Sequence, residues 1–446
     1  MTKEQQFKDY VMDRLPEYYD YLRIPGVSAQ GTGIDATVDW LKNKFAEVGA
    51  KKVEVWHELG GNPVVYAEFA GHSDKTVLFY NHYDVQPPEP LDEWESEPFE
   101  PTERAGKLYA RGVADDKGEL ISRLAIIQYY QENGGLPSKM KFVVEGQEEV
   151  GSPTIQDYVH AHKEQLAADA CIWEGGGKDA NEAFQITAGL KGVVSFDMTV
   201  ETAEKDLHSS TASYADNAAW RLVQALNSLK DASGQVLVAG FYDDVKPLEA
   251  AAQKAVEEME FNGQAIKEQF GLKRPFVTDK PAYALINTPT MTINGLSSGY
   301  EGAGVKTVIP RRALAKFDCR LVPDQEPRKI FNLIRAHLDQ HGFEDVKITF
   351  NIGEPPFRTS LEDPFVKLNI ETAQEIYGAE HTTVIPNSAG SGPAAQFVEE
   401  LGVPLVEIGI GYGGNGPHAP NEHIRLQDYR DGSWFLYQLL NKYAVK

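Results

Sequence analysis

Short apolar runs that read as strands alternate with amphipathic runs that read as helices, and this alternation narrows the fold more than any other feature of the chain. The strand candidates are residues 64–69, 76–80, 141–145 and 170–173. Ahead of them, Tyr10, Val11, Leu15 and Tyr18 fit one helical stripe, and Val38, Leu41, Phe45 and Val48 fit a second. Between the second and third strands a helical pattern runs through Leu120, Leu124, Ile127 and Tyr130, with Asp115 or Asp116 placed to cap it. Such an order predicts an α/β domain with a mostly parallel central sheet flanked by helices.

After about Gly189 the texture changes. A half-buried strand at 193–200, a helix through Ala218, Leu222, Ala225 and Leu226, a strand at 313–321, a helix at 327–341 and a strand at 346–351 follow one another. That order fits a small α+β sandwich inserted into the larger domain. The stretch 234–295 has no place in it and reads as an insertion carrying a helix at 248–270. Helices near 364–377, 392–400 and 429–443, with a strand at 404–410, complete the first domain. At 446 residues the chain exceeds the size at which one core usually divides. The expected boundaries are 1–188 and 354–446 for the first domain and 189–353 for the inserted one. No internal repeat or low-complexity run is apparent.

The net charge of -23 and the lack of a Lys/Arg cluster argue against a nucleic-acid partner. The first residues, Met1-Thr2-Lys3-Glu4-Gln5-Gln6, are polar, and no apolar run approaches the ~18 residues of a membrane span. No membrane association is expected, and the location read from these features is cytoplasmic. Cys171 and Cys319 each stand alone in apolar surroundings, without the spacing of zinc ligands, and read as buried structural thiols.

The chemistry gathers where strands end. Residues 76–80 run into Asn81-His82-Tyr83-Asp84, 141–144 into Glu145-Gly146-Gln147-Glu148-Glu149, 170–173 into Glu174-Gly175-Gly176-Gly177, and 404–410 lead to Gly416-Pro417-His418. Ligand crevices of open α/β sheets lie beyond the carboxyl ends of strands. Four strands thus bring a histidine or a carboxylate to one edge, and Asp115-Asp116 begins the helix after Arg111-Gly112-Val113-Ala114. Taken singly, a histidine after a strand is usually a loop residue, an Asp pair before a helix a cap, and Glu148-Glu149 a solvated pair. Five such features on one sheet edge point to a cation, because crowded carboxylates without one repel each other.

Imidazole with carboxylate and no thiolate suits zinc, manganese or cobalt. One carboxylate bridging two ions, each completed by a histidine and a carboxylate, gives a two-metal site that can activate a water and polarise a carbonyl. A further carboxylate must stay off the metals as general base, and the pair Glu148 and Glu149 offers one residue for each task. Other hydrolase and nucleotide signatures are missing: there is no HExxH helix, the run from Gly302 to Thr307 lacks P-loop spacing, and Ser391 lacks the GxSxG elbow.

His82-Tyr83-Asp84-Val85-Gln86-Pro87 resembles the HxDxxP signature of the co-catalytic metallopeptidases. That family includes carnosinase, cytosolic non-specific dipeptidase, carboxypeptidase G, aminoacylase, acetylornithine deacetylase and succinyl-diaminopimelate desuccinylase. The runs from Arg111 to Gly118 and from Glu145 to Ser152 resemble its second and third signatures, in order along nearly the whole chain. The resemblance implies two divalent ions per subunit, zinc first, with manganese or cobalt as alternatives. It implies that His82 and Glu174 hold one ion and Glu149 and His418 the other. Asp115 would bridge them, with a cis peptide to Asp116. It places the base on Glu148, and on Asp84 the task of orienting His82.

Asp206-Leu207-His208-Ser209, Lys306-Thr307-Val308-Ile309-Pro310 and Arg320-Leu321-Val322-Pro323 resemble motifs in the lid domain of the dipeptidase branch. By that resemblance the inserted domain is a lid through which a homodimer forms, and His208 reaches the partner's site to stabilise the oxyanion. Arg320, Thr307 and Ser391 would bind the substrate carboxylate, a role that suits a Ser391 opening a helix. The dipeptidases usually carry Asp at the position of Glu174, whereas carboxypeptidase and deacylase members carry Glu. The expected activity is hydrolysis of dipeptides or short peptides. N-acyl-amino-acid deacylation is the alternative, and a non-catalytic binding protein the remote one.

Overall fold

The computed structural model describes residues 2–259 and 261–445. It divides into two compact units. One comprises the chain up to Gly189, Thr359–Pro386 and the chain from Pro393 onward; the other comprises Leu190–Arg358 and Asn387–Gly392.

The first unit is built on a ten-stranded sheet. At its centre, Leu136–Glu145, Gly71–His82, Ala170–Trp173 and Leu405–Glu407 lie side by side and parallel. Val64–Phe69 and then Lys52–Trp56 add to one side antiparallel. Ala170–Trp173 is buried throughout and Val64–Phe69 nearly so, as expected of strands covered on both faces. Rings knit neighbouring strands together: Tyr80 stacks on Trp173 at 3.6 Å between centroids, and Phe79 on Phe142 at 4.8 Å. The parallel strands all run the same way, so His82, Glu145 and Trp173 come out together at one edge.

Helix Lys117–Glu132 is buried on almost every side, Glu119 and Arg123 included. A helix of that kind belongs in a core rather than at a surface. Its Arg123 holds strand ends, and Glu119 Oε1 accepts the Ile410 amide at 2.7 Å. The expected cap at its start does not form: Asp116 occupies the N-cap position without a side-chain bond to the helix. Its Oδ2 instead accepts from Asn81 Nδ2 at 2.6 Å and the His82 amide at 3.2 Å.

The second unit is a four-stranded antiparallel sheet in the order Thr292–Ser298, Arg312–Leu321, Gly192–Glu201, Lys347–Glu354. Burial alternates residue by residue along Gly192–Glu201. Its inward side chains, with Phe196 stacked on Phe317 at 5.0 Å, form one core with Leu222 of helix Ala218–Leu229 and Ile334 of helix Pro327–Gln340.

Several local expectations need correction. The helix expected at 248–270 is two, Ala250–Glu258 and Gly263–Phe270: Met259 takes extended backbone, and Asn262 caps the second helix by accepting from the Ala265 amide. The strand expected at 404–410 covers only Leu405–Glu407. Strand Thr292–Ser298 begins inside the stretch read as an insertion and runs past its end; its largely exposed edge position leaves no alternating pattern to read. Ser391 opens no helix. The next one begins at Ala394 after Pro393, and Ser391 is part of the second unit. Among the described residues no helix is long and apolar enough to cross a membrane.

Candidate metal centre

The five expected ligands all belong to the first unit, and their side chains converge. Asp115 is the hub. Its Oδ1 lies 2.9 Å from Nε2 of His82 and its Oδ2 3.0 Å from Nε2 of His418. Glu174 Oε2 lies 3.6 Å from the same His82 nitrogen, and Glu149 Oε2 lies 3.2 Å from the same His418 nitrogen. The peptide between Asp115 and Asp116 is cis.

Further side chains hold several of these ligands and the strand ends that carry them. Arg123, fully buried, donates to the Tyr80 carbonyl at 2.6 Å, to Asn81 Oδ1 at 2.7 Å and to the Trp173 carbonyl at 2.6 Å. One guanidinium thereby joins the ends of the strands that carry His82 and Glu174. Asp84 is buried, and its carboxylate accepts the amides of Glu148 and Glu149, both at 3.2 Å. It also comes within 3.5 Å of His82 Nδ1, although the hydrogen bond from that nitrogen goes to the Asp84 carbonyl at 2.9 Å. Gln86 donates to Glu149 Oε2 at 2.9 Å. Gly146 lets the loop approach Tyr83: a Cβ there would meet the phenol ring at 2.1 Å. His418 itself takes φ of 62°, in the left-handed region, on the loop after Gly416.

The electrostatics suit a cation. Burial disfavours ionised Asp115, but the His418 and His82 imidazoles outweigh it and hold the carboxyl well below the usual range. The bonds from Asp115 and Glu149 push His418 up to about 10. Burial opposes charge on His82, yet Glu174 and Asp115 raise it well above an ordinary imidazole. Carboxylates that draw protons onto two imidazoles bind a divalent ion in place of those protons. Among the described residues Glu174 Oε2 and Asp116 Oδ1 are buried oxygens without a hydrogen-bond partner, which fits a metal-ligating role. Ligand atoms of His82, Asp116 and Glu174, and of His82, Asp115 and Glu149, each lie within 4.8 Å of one another. The residues fit a metal centre. Asp116 stands in the first of these groups. The two-sided approach of His82 and His418 nevertheless makes Asp115 the bridging candidate, since one oxygen of Asp116 is already held by Asn81.

Glu148 makes no hydrogen bond to either imidazole among those described. Burial is the main reason its carboxyl is raised to about 7, with Glu149, Asp115 and Asp84 adding to it and His82 opposing. Such a value suits a group that takes and returns a proton near neutral pH.

The remaining expected residues belong to the second unit. Arg320 Nη1 donates to Ser391 Oγ at 2.8 Å, which joins a strand residue to the short segment Asn387–Gly392. His208 and Thr307 are exposed neighbours: the Ser209 amide donates to the Thr307 carbonyl at 3.1 Å, beside the antiparallel pairing of His208 with Val308. The Ser210 amide donates to His208 Nδ1 at 3.2 Å. An amide only donates, so Nδ1 accepts, and the neutral ring carries its proton on Nε2.

Arg123, Gln86 and Asn81 were not singled out in the sequence. Gln86 was within reach, being inside the His82–Pro87 motif; a buried arginine in a helix offered no signal.

The chain is similar to known proteins over most of its length. The family described as Peptidase family M20/M25/M40 matches residues 78–442. The chain is 30% identical over 441 residues to the Cys-Gly metallodipeptidase dug1 of Schizosaccharomyces pombe, covering 92% of this chain and 91% of that protein. It is 29% identical over 409 residues to the human Beta-Ala-His dipeptidase, covering 87% and 78% respectively. Its fold matches the M20 family metallo-carboxypeptidase Sso-CP2 from Sulfolobus solfataricus with a TM-score of 0.90 and 37% identity, over the full length of both chains.

Proposed function

The chain belongs to peptidase family M20/M25/M40 and is a hydrolase of peptide bonds; on that premise we propose that it is a dinuclear metallopeptidase that splits dipeptides or removes the last residue of short peptides. The observation that carries the dinuclear reading is Asp115, whose two oxygens each face a different imidazole at 2.9 and 3.0 Å. His82 and Glu174 would hold one ion, Glu149 and His418 the other, and Asp115 would serve both. Zinc suits this donor set first, and manganese or cobalt next. When bound, the ions polarise the scissile carbonyl and make a water acidic enough to attack it.

Glu148, raised to about 7 by burial, accepts the proton of that water and returns it to the leaving nitrogen. Asp84 fixes the backbone of Glu148 and Glu149 through their amides. Arg320, with Ser391 on its guanidinium, and Thr307 hold the substrate's terminal carboxylate. His208 from a second subunit steadies the oxyanion with its Nε2 proton, the tautomer supported by the Ser210 amide on Nδ1. The homodimer forms through the second unit: Trp220 and Val223 are exposed on one helix, and strand Thr292–Ser298 is an open edge with Leu296 exposed. Both cysteines are unpaired and buried, in keeping with a cytoplasmic protein.

The alternative reading is N-acyl-amino-acid deacylation, and Glu174 favours it. The deciding experiment is a panel of dipeptides, tripeptides and N-acyl amino acids given to metal-depleted protein, with zinc, manganese or cobalt added back singly. Cleavage of dipeptides restored by one of these metals is the expected result. Cleavage confined to N-acetyl amino acids overturns it in favour of deacylation.

A further inference from the structure

Glu422 is fully buried, four residues beyond His418 and just ahead of strand His423–Arg425. Its two carboxylate oxygens take four donors, all from the segment that ends on Asp115. Oε2 accepts from Arg111 Nη1 at 2.6 Å and from the Gly112 amide at 2.9 Å. Oε1 accepts from the Ala114 amide at 2.8 Å and from the Asp115 amide at 3.1 Å. The Glu422 carbonyl accepts from the Ala110 amide at 3.2 Å, and the strand that follows pairs antiparallel with Lys107–Tyr109.

We propose that Glu422 is a positioning residue of the metal centre: by gathering the amides of Gly112, Ala114 and Asp115 it locks this turn to the loop bearing His418, and so sets where the Asp115 carboxylate stands between His82 and His418. A plain buried ion pair with Arg111 would use one of the four bonds. The other three go to main-chain amides, and one of these belongs to the bridging ligand itself. No neutral side chain can replace this arrangement. A carboxylate accepts at both oxygens, whereas glutamine would turn an NH2 group toward two N–H donors whichever way it is flipped. The turn would then have to move, and Asp115 with it. Partners that orient ligands act on metal affinity in this way, typically by about 10–100-fold.

This inference rests on the metallopeptidase reading, and the test separates the two. Full-length protein is loaded with Co(II), and affinity is measured by competition with a chelator, alongside the visible absorption spectrum, kcat and KM. Glu422→Gln is expected to bind Co(II) about 10–100-fold more weakly, with a changed spectrum, a lower kcat and a KM close to that of the parent. Excess Co(II) should recover part of the activity. A folded Glu422→Gln with the parent's affinity and spectrum overturns the proposal. Glu422→Asp keeps the charge but holds the carboxylate short of its donors, and it is expected to show the same changes to a lesser degree. If the glutamine variant does not fold, a parent-like Co(II) affinity and spectrum in the aspartate variant overturns the proposal equally. Failure of the parent protein to bind Co(II) would instead count against the metallopeptidase reading itself.

Discussion

Nδ1 of His82 lies 2.9 Å from the main-chain carbonyl oxygen of Asp84, two residues along the chain. A carbonyl can only accept, so Nδ1 carries the proton and the neutral ring keeps its lone pair on Nε2. That is the nitrogen facing Asp115 and Glu174. A bond formed within its own motif thus leaves Nε2 as the one candidate ligating atom of the ring.

Glu148→Ala should keep its metals and lose turnover. In the proposed mechanism Glu148 holds no metal and its raised carboxyl carries the proton, so kcat should fall roughly 100- to 10,000-fold. Elemental analysis should find the parent's metal content. Retained activity in this variant would remove Glu148 as the base.

His208→Ala should lower kcat by roughly 100- to 1,000-fold with metal content unchanged, as for loss of an oxyanion donor. Trp220→Glu places a charge on the exposed face of helix Ala218–Leu229 and should shift the protein to monomer in gel filtration. Mixing inactive His208→Ala and Glu148→Ala dimers under exchange should restore part of the activity, because one hybrid site is then intact. A fully active monomer would end the trans assignment.

Lys191 should leave a signature in the pH dependence of stability. Burial first, then Arg320 and Arg358, lowers its amine to about 8 from 10.5. The folded protein therefore releases this proton before the unfolded chain does. Between these values the unfolded state binds more protons, and stability rises with pH. The gain is absent below the folded value and complete above the unfolded one, amounting to about 3 kcal/mol. Unfolding free energies of the parent and of Lys191→Met, measured from pH 7.5 to 10.5, should diverge in the parent's favour as pH rises. Parallel curves would show that Lys191 has no depressed value.

Arg123→Leu removes the donor to two strand-end carbonyls and to Asn81. Each buried acceptor left unpaired costs about 1–3 kcal/mol. The denaturation midpoint should fall by more than a surface substitution allows, and metal affinity should drop with it, since His82 and Glu174 lose their shared anchor. Unchanged stability would mean that water replaces the guanidinium.

The central strands were legible because burial on both faces writes itself as continuous apolar runs, and the ends of those runs were legible because histidine and carboxylate interrupt them. Helix Lys117–Glu132 was found from its apolar positions, although it is buried on nearly all sides and its charged residues point inward. Edge strand Thr292–Ser298 was not found, since an exposed edge has little apolar pattern to show. Asn387–Gly392 lies far along the chain from the rest of the second unit, and no local signal marks it as part of that unit.

Sequence by itself determined the class of sheet, the donor chemistry of the site and the strand ends that carry it. These depend on residue type and on periods of two to four residues, which a linear pattern preserves. Tertiary structure alone decided that Asp116 accepts from Asn81 instead of capping its helix, that Arg123 joins two strand ends, and that Glu422 takes the amides beside Asp115. Those bonds link residues 35 to 310 positions apart. A hydrogen bond depends on distance and direction in space, and neither is written in the order of residues until the chain has folded.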